Sequence, residues 1–116
     1  MIVEQKRVMK PWGNELIWSH CDKFVGKILT INSGHQLSRQ YHKQKEETIF
    51  VLSGTLLLEV GMGEKLEKIE LKRGQSFHVT PGTIHRFSAP YGEVELAEVS
   101  TPELEDVVRL EDNYNR

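Results

Sequence analysis

The chain has 116 residues, with 15 lysines and arginines against 17 aspartates and glutamates, and a formal net charge of −2. This near-neutral balance argues against nucleic acid or an anionic membrane as the main partner, and no apolar run reaches the roughly 20 residues that span a bilayer. The length suits a single domain, which we expect to cover residues 1–116. Cys21 is the one cysteine and the first residues lack the order of a signal peptide, so we expect a cytoplasmic protein without an intrachain disulfide.

Short segments rich in aliphatic and β-branched residues follow one another along most of the chain, separated by turns that contain Gly, Pro or Asn. These segments cover 2–9, 15–19, 24–31, 37–42, 48–52, 55–60, 66–71, 76–80, 84–88 and 94–99. Strands at a spacing of about ten residues predict an all-β sandwich or barrel. The acidic tail from Pro102 onward fits either a strand or a helical turn.

Potential metal ligands are concentrated between Gly34 and Gly54. Side chains two residues apart on a strand point to the same face, so Gln40 and His42 are expected to project together. Glu47 follows a polar run at which the chain can turn back and bring a carboxylate opposite them. An amide oxygen, an imidazole and a carboxylate that converge would form a divalent-metal site that needs a further ligand.

His85 is the strongest candidate for that ligand, because it follows the tight turn that begins at Pro81-Gly82 and opens a predicted strand. Together Gln40, His42, Glu47 and His85 suit zinc, iron(II), manganese or cobalt, with positions left for a substrate. Taken separately, each histidine could equally be structural.

The spacing of these residues resembles the two sequence motifs of the cupin superfamily. The first motif is met with glutamine in place of its first histidine, and its residues are Gly34, Gln40, His42, Glu47 and Gly54. The second motif is met with its proline displaced by one position, and its residues are Gly74, Pro81, Gly82 and His85. Membership of this superfamily implies a cupin-type jelly-roll β-barrel with a metal ion near its middle.

Glutamine at the first histidine position is the pattern of the phosphomannose isomerases. The chain is similar nearly end to end to their type II domain, which is often fused behind a mannose-1-phosphate guanylyltransferase. The stretches that carry this likeness are 10–13, 37–42, 82–86 and 104–116. The chain departs from the sequence of the type II domain at Lys45, Thr48 and Asn115, where that family usually has arginine, histidine and glycine. About nine residues precede the Pro-Trp-Gly turn, so a stand-alone domain is expected.

This resemblance implies an aldose–ketose isomerase for a sugar phosphate, with mannose 6-phosphate as the family's example. It would use one divalent ion, with zinc favoured over manganese, cobalt, nickel or iron. Glu98, Lys27 and Arg86 are the candidates for proton transfer or polarisation. The candidates for binding phosphate are Lys10, Lys45, Arg86 and Arg109.

Other interpretations stay open for these residues. Lys27 shares a predicted strand face with aliphatic residues, so it could extend to the rim instead of a polar pocket. Arg86 follows His85 directly, so strict alternation places it on the opposite face of the strand.

The alternative function is a metal-binding cupin that is not an isomerase, either a small oxygenase or a sugar- or ligand-binding module. The third interpretation is a metal-free barrel, in which Gln40 and His42 are hydrogen-bonding groups of the core. A homodimer is expected because a small barrel has free sheet edges.

Overall fold

A computed structural model describes residues 1–114, and Asn115 and Arg116, the end of the tail resemblance, lie outside the described residues. Over this range the chain forms eleven strands and one 3-10 turn at Gly63–Lys65. The strands are β1 Lys6–Lys10, β2 Gly13–His20, β3 Val25–Ile31, β4 Arg39–Tyr41, β5 Glu47–Ser53, β6 Thr55–Val60, β7 Glu67–Lys72, β8 Ser76–Val79, β9 His85–Ser88, β10 Val94–Ser100 and β11 Val108–Glu111. The all-β prediction is therefore confirmed.

The strands form two antiparallel sheets that share one core. The six-stranded sheet has the order β1-β2-β3-β10-β5-β8, and the five-stranded sheet has the order β11-β4-β9-β6-β7. Residues of both sheets, such as Leu96 on β10 and Leu58 on β6, are completely buried in a common apolar cluster. Two sheets that pack face to face in this way form the expected jelly roll. In residues 1–114 we find no helix long and apolar enough to cross a membrane.

Strict alternation along the strands carries polar groups into the interior. On β5, Glu47 and Ile49 are buried, whereas Phe50 is 43% exposed on the outer face. On β3, Lys27 lies on the same buried face as Leu29. Because side chains of a strand alternate between faces, the residues that carry the chemistry point inward with the core.

The turn at Pro11-Trp12-Gly13 closes one end of the core. Trp12 is 2% exposed and belongs to the apolar cluster. Gly13 has a φ of +153°, and a Cβ atom there would lie 1.9 Å from the carbonyl oxygen of Thr30. The close approach of two backbones requires glycine at this position.

The structure decides the conformation of the tail, which forms β11. This strand pairs with β4, and Arg109 lies opposite Gln40 in the register. Two strands are each three residues shorter than predicted: the first is Lys6–Lys10 instead of 2–9, and β4 is Arg39–Tyr41 instead of 37–42, so His42 lies just beyond it. The tail therefore adds an edge strand beside the segment that carries two of the predicted ligands.

Candidate metal centre

Three of the four predicted ligands converge inside the barrel. His42 follows β4, Glu47 begins β5 and His85 begins β9, and all three are at least 98% buried. The Nε2 atoms of His42 and His85 lie 3.6 Å and 3.4 Å from Oε1 of Glu47. One potential ligand atom from each residue lies within 4.8 Å of the others. This geometry suits a single divalent ion between two imidazoles and a carboxylate.

The hydrogen bonds of the two imidazoles fix which nitrogen faces the cluster. Nδ1 of His42 donates to the carbonyl oxygen of Asp106 at 2.6 Å, and Nδ1 of His85 donates to that of Thr83 at 2.9 Å. A carbonyl only accepts, so in each neutral ring Nε2 carries the lone pair. Neither buried Nε2 atom has a hydrogen-bond partner among residues 1–114. Orphaned lone pairs beside a carboxylate, on rings whose Nδ1–H groups are held by carbonyl acceptors, are the arrangement found at metal-binding histidines.

The carboxylate of Glu47 is held in its ionised form. Burial alone would raise the pKa of this carboxyl, but its polar surroundings, with the Lys45 ammonium among them, hold it well below its usual range. Nζ of Lys45 lies 3.0 Å from Oε2 of Glu47. The contact is too poorly aligned to count as a hydrogen bond, since Oε2 has none within residues 1–114. We therefore regard it as an ion pair.

Gln40 lies next to this cluster. Its Cα pairs with that of His85 across the sheet, and its side chain lines the same cavity as His42. The hydroxyl of Ser38 donates to Oε1 of Gln40 at 2.7 Å. An amide oxygen that accepts one hydrogen bond keeps a second lone pair. Ligation of the ion by Gln40 stays a prediction.

A cavity of about 100 Å³ opens beside the cluster. Its walls contain apolar residues and four cations, and they are formed by Lys10, Trp12, Glu15, Lys27, Leu37, Gln40, His42, Lys45, Leu104, Val107 and Arg109. Three of the four cations predicted for phosphate binding are in this lining, and Lys27, a candidate for proton transfer, is there too. The cavity therefore combines potential metal ligands with an excess of positive charge.

The four cations of the cavity are not equivalent. Lys27 pairs with Glu15 at 3.3 Å, and Lys45 pairs with Glu47. Burial alone would lower the pKa of Lys45, but the carboxylates of Glu98 and Glu47 raise it, so this ammonium stays charged. Two further cations, Lys10 and Arg109, are less buried, and neither side chain has an ion-pair or hydrogen-bond partner in the described part of the chain. Their charges are available to an anionic ligand.

Glu98 lies behind the cavity and is not part of its lining. It is 4% exposed, its Cα pairs with that of Lys27, and one of its oxygens is 3.8 Å from Nζ of Lys45. Burial and the negative charge of Glu47 raise the pKa of Glu98 to about 8. The structure thus brings Glu98 to the charged network of the site but not to the surface that a ligand would touch.

Arg86 is not brought to the cavity. Its Nε donates to the carbonyl oxygen of Leu37 at 2.9 Å, and its Nη2 donates to that of Glu111 at 3.1 Å. These bonds tie β9 to the chain before β4 and to the end of β11. Arg86 therefore lies away from the cavity, as strict alternation of side chains after His85 predicts.

Two residues of the site were missed by reasoning from sequence. Glu15 lines the cavity and pairs with Lys27. Its signal was its parity with Gly13 and Ile17 on β2, the strand that begins directly after the turn that contains buried Trp12. Asp106 contributes its carbonyl to His42, and no local pattern marks that contact because 64 residues separate the two positions.

Asp106 also binds the loop that follows His42. Its carboxylate accepts hydrogen bonds from the backbone N–H groups of Lys43, Gln44 and Lys45 at 3.0, 2.7 and 2.9 Å. These three bonds lower the pKa of Asp106 to about 2. One residue of the tail therefore contacts both a potential metal ligand and the loop that leads to the next one.

Comparison with known proteins assigns the family. Residues 27–100 match the model of the cupin domain. The xanthan biosynthesis protein XanB of Xanthomonas campestris is 35% identical over 96% of this chain, and the mannose-1-phosphate guanylyltransferase ManC of Salmonella typhimurium is 29% identical over 96%. The chain spans only about a quarter of these relatives, 24% and 23% of their lengths. The solved structure of KdgF from Halomonas sp. is similar in fold, with a TM-score of 0.72 at 18% identity, over 86% of this chain and 88% of that one. The chain belongs to the cupin family.

Proposed function

We propose that this cupin is a metal-dependent aldose–ketose isomerase that acts on a sugar phosphate such as mannose 6-phosphate. The observation that carries the proposal is the buried cluster of His42, Glu47 and His85 with its orphaned Nε2 atoms. His42 also lines a cavity that contains two cations without a partner among residues 1–114. The printed name of one relative, a mannose-1-phosphate guanylyltransferase, supports a phosphorylated mannose as the class of ligand. The proposal covers residues 1–116 as one cytoplasmic domain.

His42, Glu47 and His85 would hold the ion, and Gln40 is our proposed fourth ligand. Two imidazoles, a carboxylate and an amide oxygen favour zinc, with manganese, cobalt, nickel or iron as alternatives. When bound, such an ion polarises a carbonyl and stabilises negative charge on oxygen. The Nδ1 bonds described above would keep both rings oriented for this role.

The isomerisation moves one proton between two adjacent carbons of the sugar, so a base has to reach that proton and return it. Glu15 is the carboxylate that lines the cavity, and its partner Lys27 lines it too. We therefore assign proton transfer to Glu15 and Lys27. Glu98, the carboxyl expected from sequence, would act from behind the cavity by setting the charge around Lys27 and Lys45.

The phosphate would be bound by Lys10 and Arg109. A paired cation must give up its partner before it can bind an anion, whereas these two have none among residues 1–114. Lys10 and Arg109 are also more exposed than Lys27 and Lys45. A phosphate bound to them would therefore lie toward the outside, and the carbonyl end of the sugar would point toward the cluster. Lys45, also predicted for phosphate binding, keeps its place in the pocket as the partner of Glu47.

The volume of the cavity favours a second candidate function. A space of about 100 Å³ is well below the ~300 Å³ at which pockets for drug-sized ligands begin. A hexose phosphate would have to extend outside or displace the wall formed by Leu104 and Val107. A small-ligand cupin, either an oxygenase or a binding module, needs no such movement.

Metal analysis tests the site. We expect the protein purified without added metal, or reconstituted with zinc, to hold about one ion per chain, and His42→Ala and Glu47→Ala to lose most of it. His78→Ala is the matched control, because the His78 side chain is 51% exposed on the outer surface. Equal metal contents in the wild type and in His42→Ala would show that the ligand assignment is wrong.

A coupled assay for conversion of mannose 6-phosphate to fructose 6-phosphate tests the reaction. No turnover with zinc, manganese, cobalt, nickel or iron loaded in turn would favour the second candidate. In an active enzyme, Arg109→Met should raise KM by about 10-fold or more, since a hydrogen bond to a charged group contributes ~1.5–3 kcal/mol. Lys43→Met, which removes an exposed lysine outside the cavity, should leave KM unchanged.

A further inference from the structure

Asp106 lies in a segment of turns and irregular chain between β10 and β11. Its carbonyl oxygen accepts a hydrogen bond from Nδ1 of His42. Its carboxylate accepts three hydrogen bonds from backbone N–H groups of the loop that begins directly after His42. The same residue thus contacts a potential metal ligand and the backbone that positions it.

We infer that Asp106 is a positioning residue of the metal centre, which holds the His42 imidazole with its Nε2 lone pair directed at the cluster. The inference rests on the metal centre in the proposed function. It assigns to the carboxylate the task of fixing the carbonyl of its own residue. Thr101, at the start of the same segment, also bonds the loop at Glu46, but the three bonds of the carboxylate are made by the residue that carries this carbonyl.

The two histidines of the cluster differ in how their Nδ1 acceptors are held. The acceptor for His85 is the carbonyl of Thr83, only two residues earlier in the same tight turn. The acceptor for His42 comes from 64 residues away. A local turn fixes its own carbonyl, whereas a distant irregular segment needs an attachment. The three bonds of the Asp106 carboxylate provide that attachment.

The loop bound by Asp106 also ends in functional positions. Lys45 is the last loop residue whose backbone N–H donates to Asp106, and Glu47 lies two residues further on. Outward movement of this loop would therefore separate His42 from Glu47 as well as release the ring. A carboxylate that accepts three N–H groups in one loop is a strong restraint, since hydrogen bonds to charged groups are stronger than neutral ones.

Zinc binding to the full chain, with Asp106→Ala and Asp106→Asn beside the wild type, tests the inference. Loss of a partner behind a metal-binding histidine typically weakens metal affinity about 10–100-fold, and we expect a loss in that range for Asp106→Ala and a smaller one for Asp106→Asn. Glu105→Ala is the matched control, because it removes the neighbouring exposed carboxylate, which has no side-chain partner among residues 1–114. Unchanged zinc affinity in Asp106→Ala would overturn the inference.

Nitrogen NMR of the histidine rings in metal-free protein supplies a readout that general loss of stability would not produce. At about pH 8, above the ordinary histidine pKa of about 6.5, the wild type should show His42 with Nδ1 protonated. Asp106→Ala should show a mixture of tautomers at His42, while His85 keeps its own. Should Asp106→Ala not fold, Asp106→Asn, which keeps the volume, gives the same comparison.

An unchanged His42 signal in a folded variant would overturn the inference, as would an equal change at both histidines. Neither measurement uses a substrate. Absence of isomerase activity therefore defeats only the proposed reaction, and failure of the wild type to bind any metal defeats the proposed metal centre, whereas the tautomer measurement still decides the role of Asp106.

Discussion

Replacement of Lys45 with methionine is the sharpest test of the charge balance inside the barrel. The Lys45 side chain is 7% exposed and its ammonium lies 3.0 Å from Glu47, which is itself buried. Methionine fills a similar volume without charge, so the substitution removes the cation and leaves the carboxylate in place. In the metal-free protein, Glu47 would then be a buried carboxylate without its nearest positive charge.

The expected cost follows from that geometry. Removal of one partner of a buried ion pair typically destabilises a protein by about 3–5 kcal/mol. The entropy of unfolding of a chain of this length makes 1 kcal/mol equal to about 4 °C in melting temperature, so a decrease of roughly 12–20 °C is expected. A divalent ion would supply the missing charge. Zinc should therefore bind Lys45→Met more tightly than the wild type, and should raise its melting temperature by more.

Calorimetry with and without zinc measures both effects, and Lys43→Met controls for loss of a lysine charge, since Lys43 is exposed two residues earlier. Two results would refute the reasoning. One is a metal-free Lys45→Met that melts within about 2 °C of the wild type. The other is a zinc affinity that is the same in both proteins, which would mean that Lys45 and the ion do not act on the same carboxylate.

Two further predictions concern proton transfer and association. Glu15→Gln should lower kcat by about 10²–10⁴-fold with zinc content unchanged, and Glu98→Gln should lower it less. The opposite order in steady-state kinetics would return the base to Glu98. We also propose a homodimer through the outer face of the six-stranded sheet, where Phe50 is 43% and Val99 54% exposed, because exposed apolar side chains favour association. Val99→Lys should give monomers by light scattering while Leu110→Lys, on the other sheet and 41% exposed, leaves dimers; a monomeric wild type would contradict the proposal.

The strands could be predicted because their signal is local, and the ligand cluster because its residues resemble the two cupin motifs. Alternation on β3 placed Lys27 with Leu29 and Ile31, and all three are buried as that parity predicts. The spacing of His42, Glu47 and His85 indicated a shared site, and the structure brings these residues together. The parity on β3 needs only the two-residue period of a strand, whereas His85 was joined to the other ligands by its likeness to the second cupin motif.

The cavity wall could not be predicted because it depends on contacts between distant segments. Asp106 bonds His42 and the loop after it, which lie 61 to 64 residues away along the chain. Whether Lys10 or Lys45 is free to bind an anion depends on which carboxylates the fold brings near each, and pairing of this kind has no period in the sequence. Glu15 was missed for the same reason, since its partner Lys27 is on the next strand.

The two sheets contribute unequally to the cluster, and this explains why its charges matter to the fold. Glu47 belongs to the six-stranded sheet, whereas His42 and His85 come from the chain of the five-stranded sheet. An ion bound by all three would therefore connect the two sheets at the polar end of the interior, while the apolar cluster connects them elsewhere. Without an ion, Lys45 is the cation that offsets Glu47 at that end, since it extends from the loop between the two sheets. Metal and lysine thus stabilise the same carboxylate, and a change in either should alter the contribution of the other.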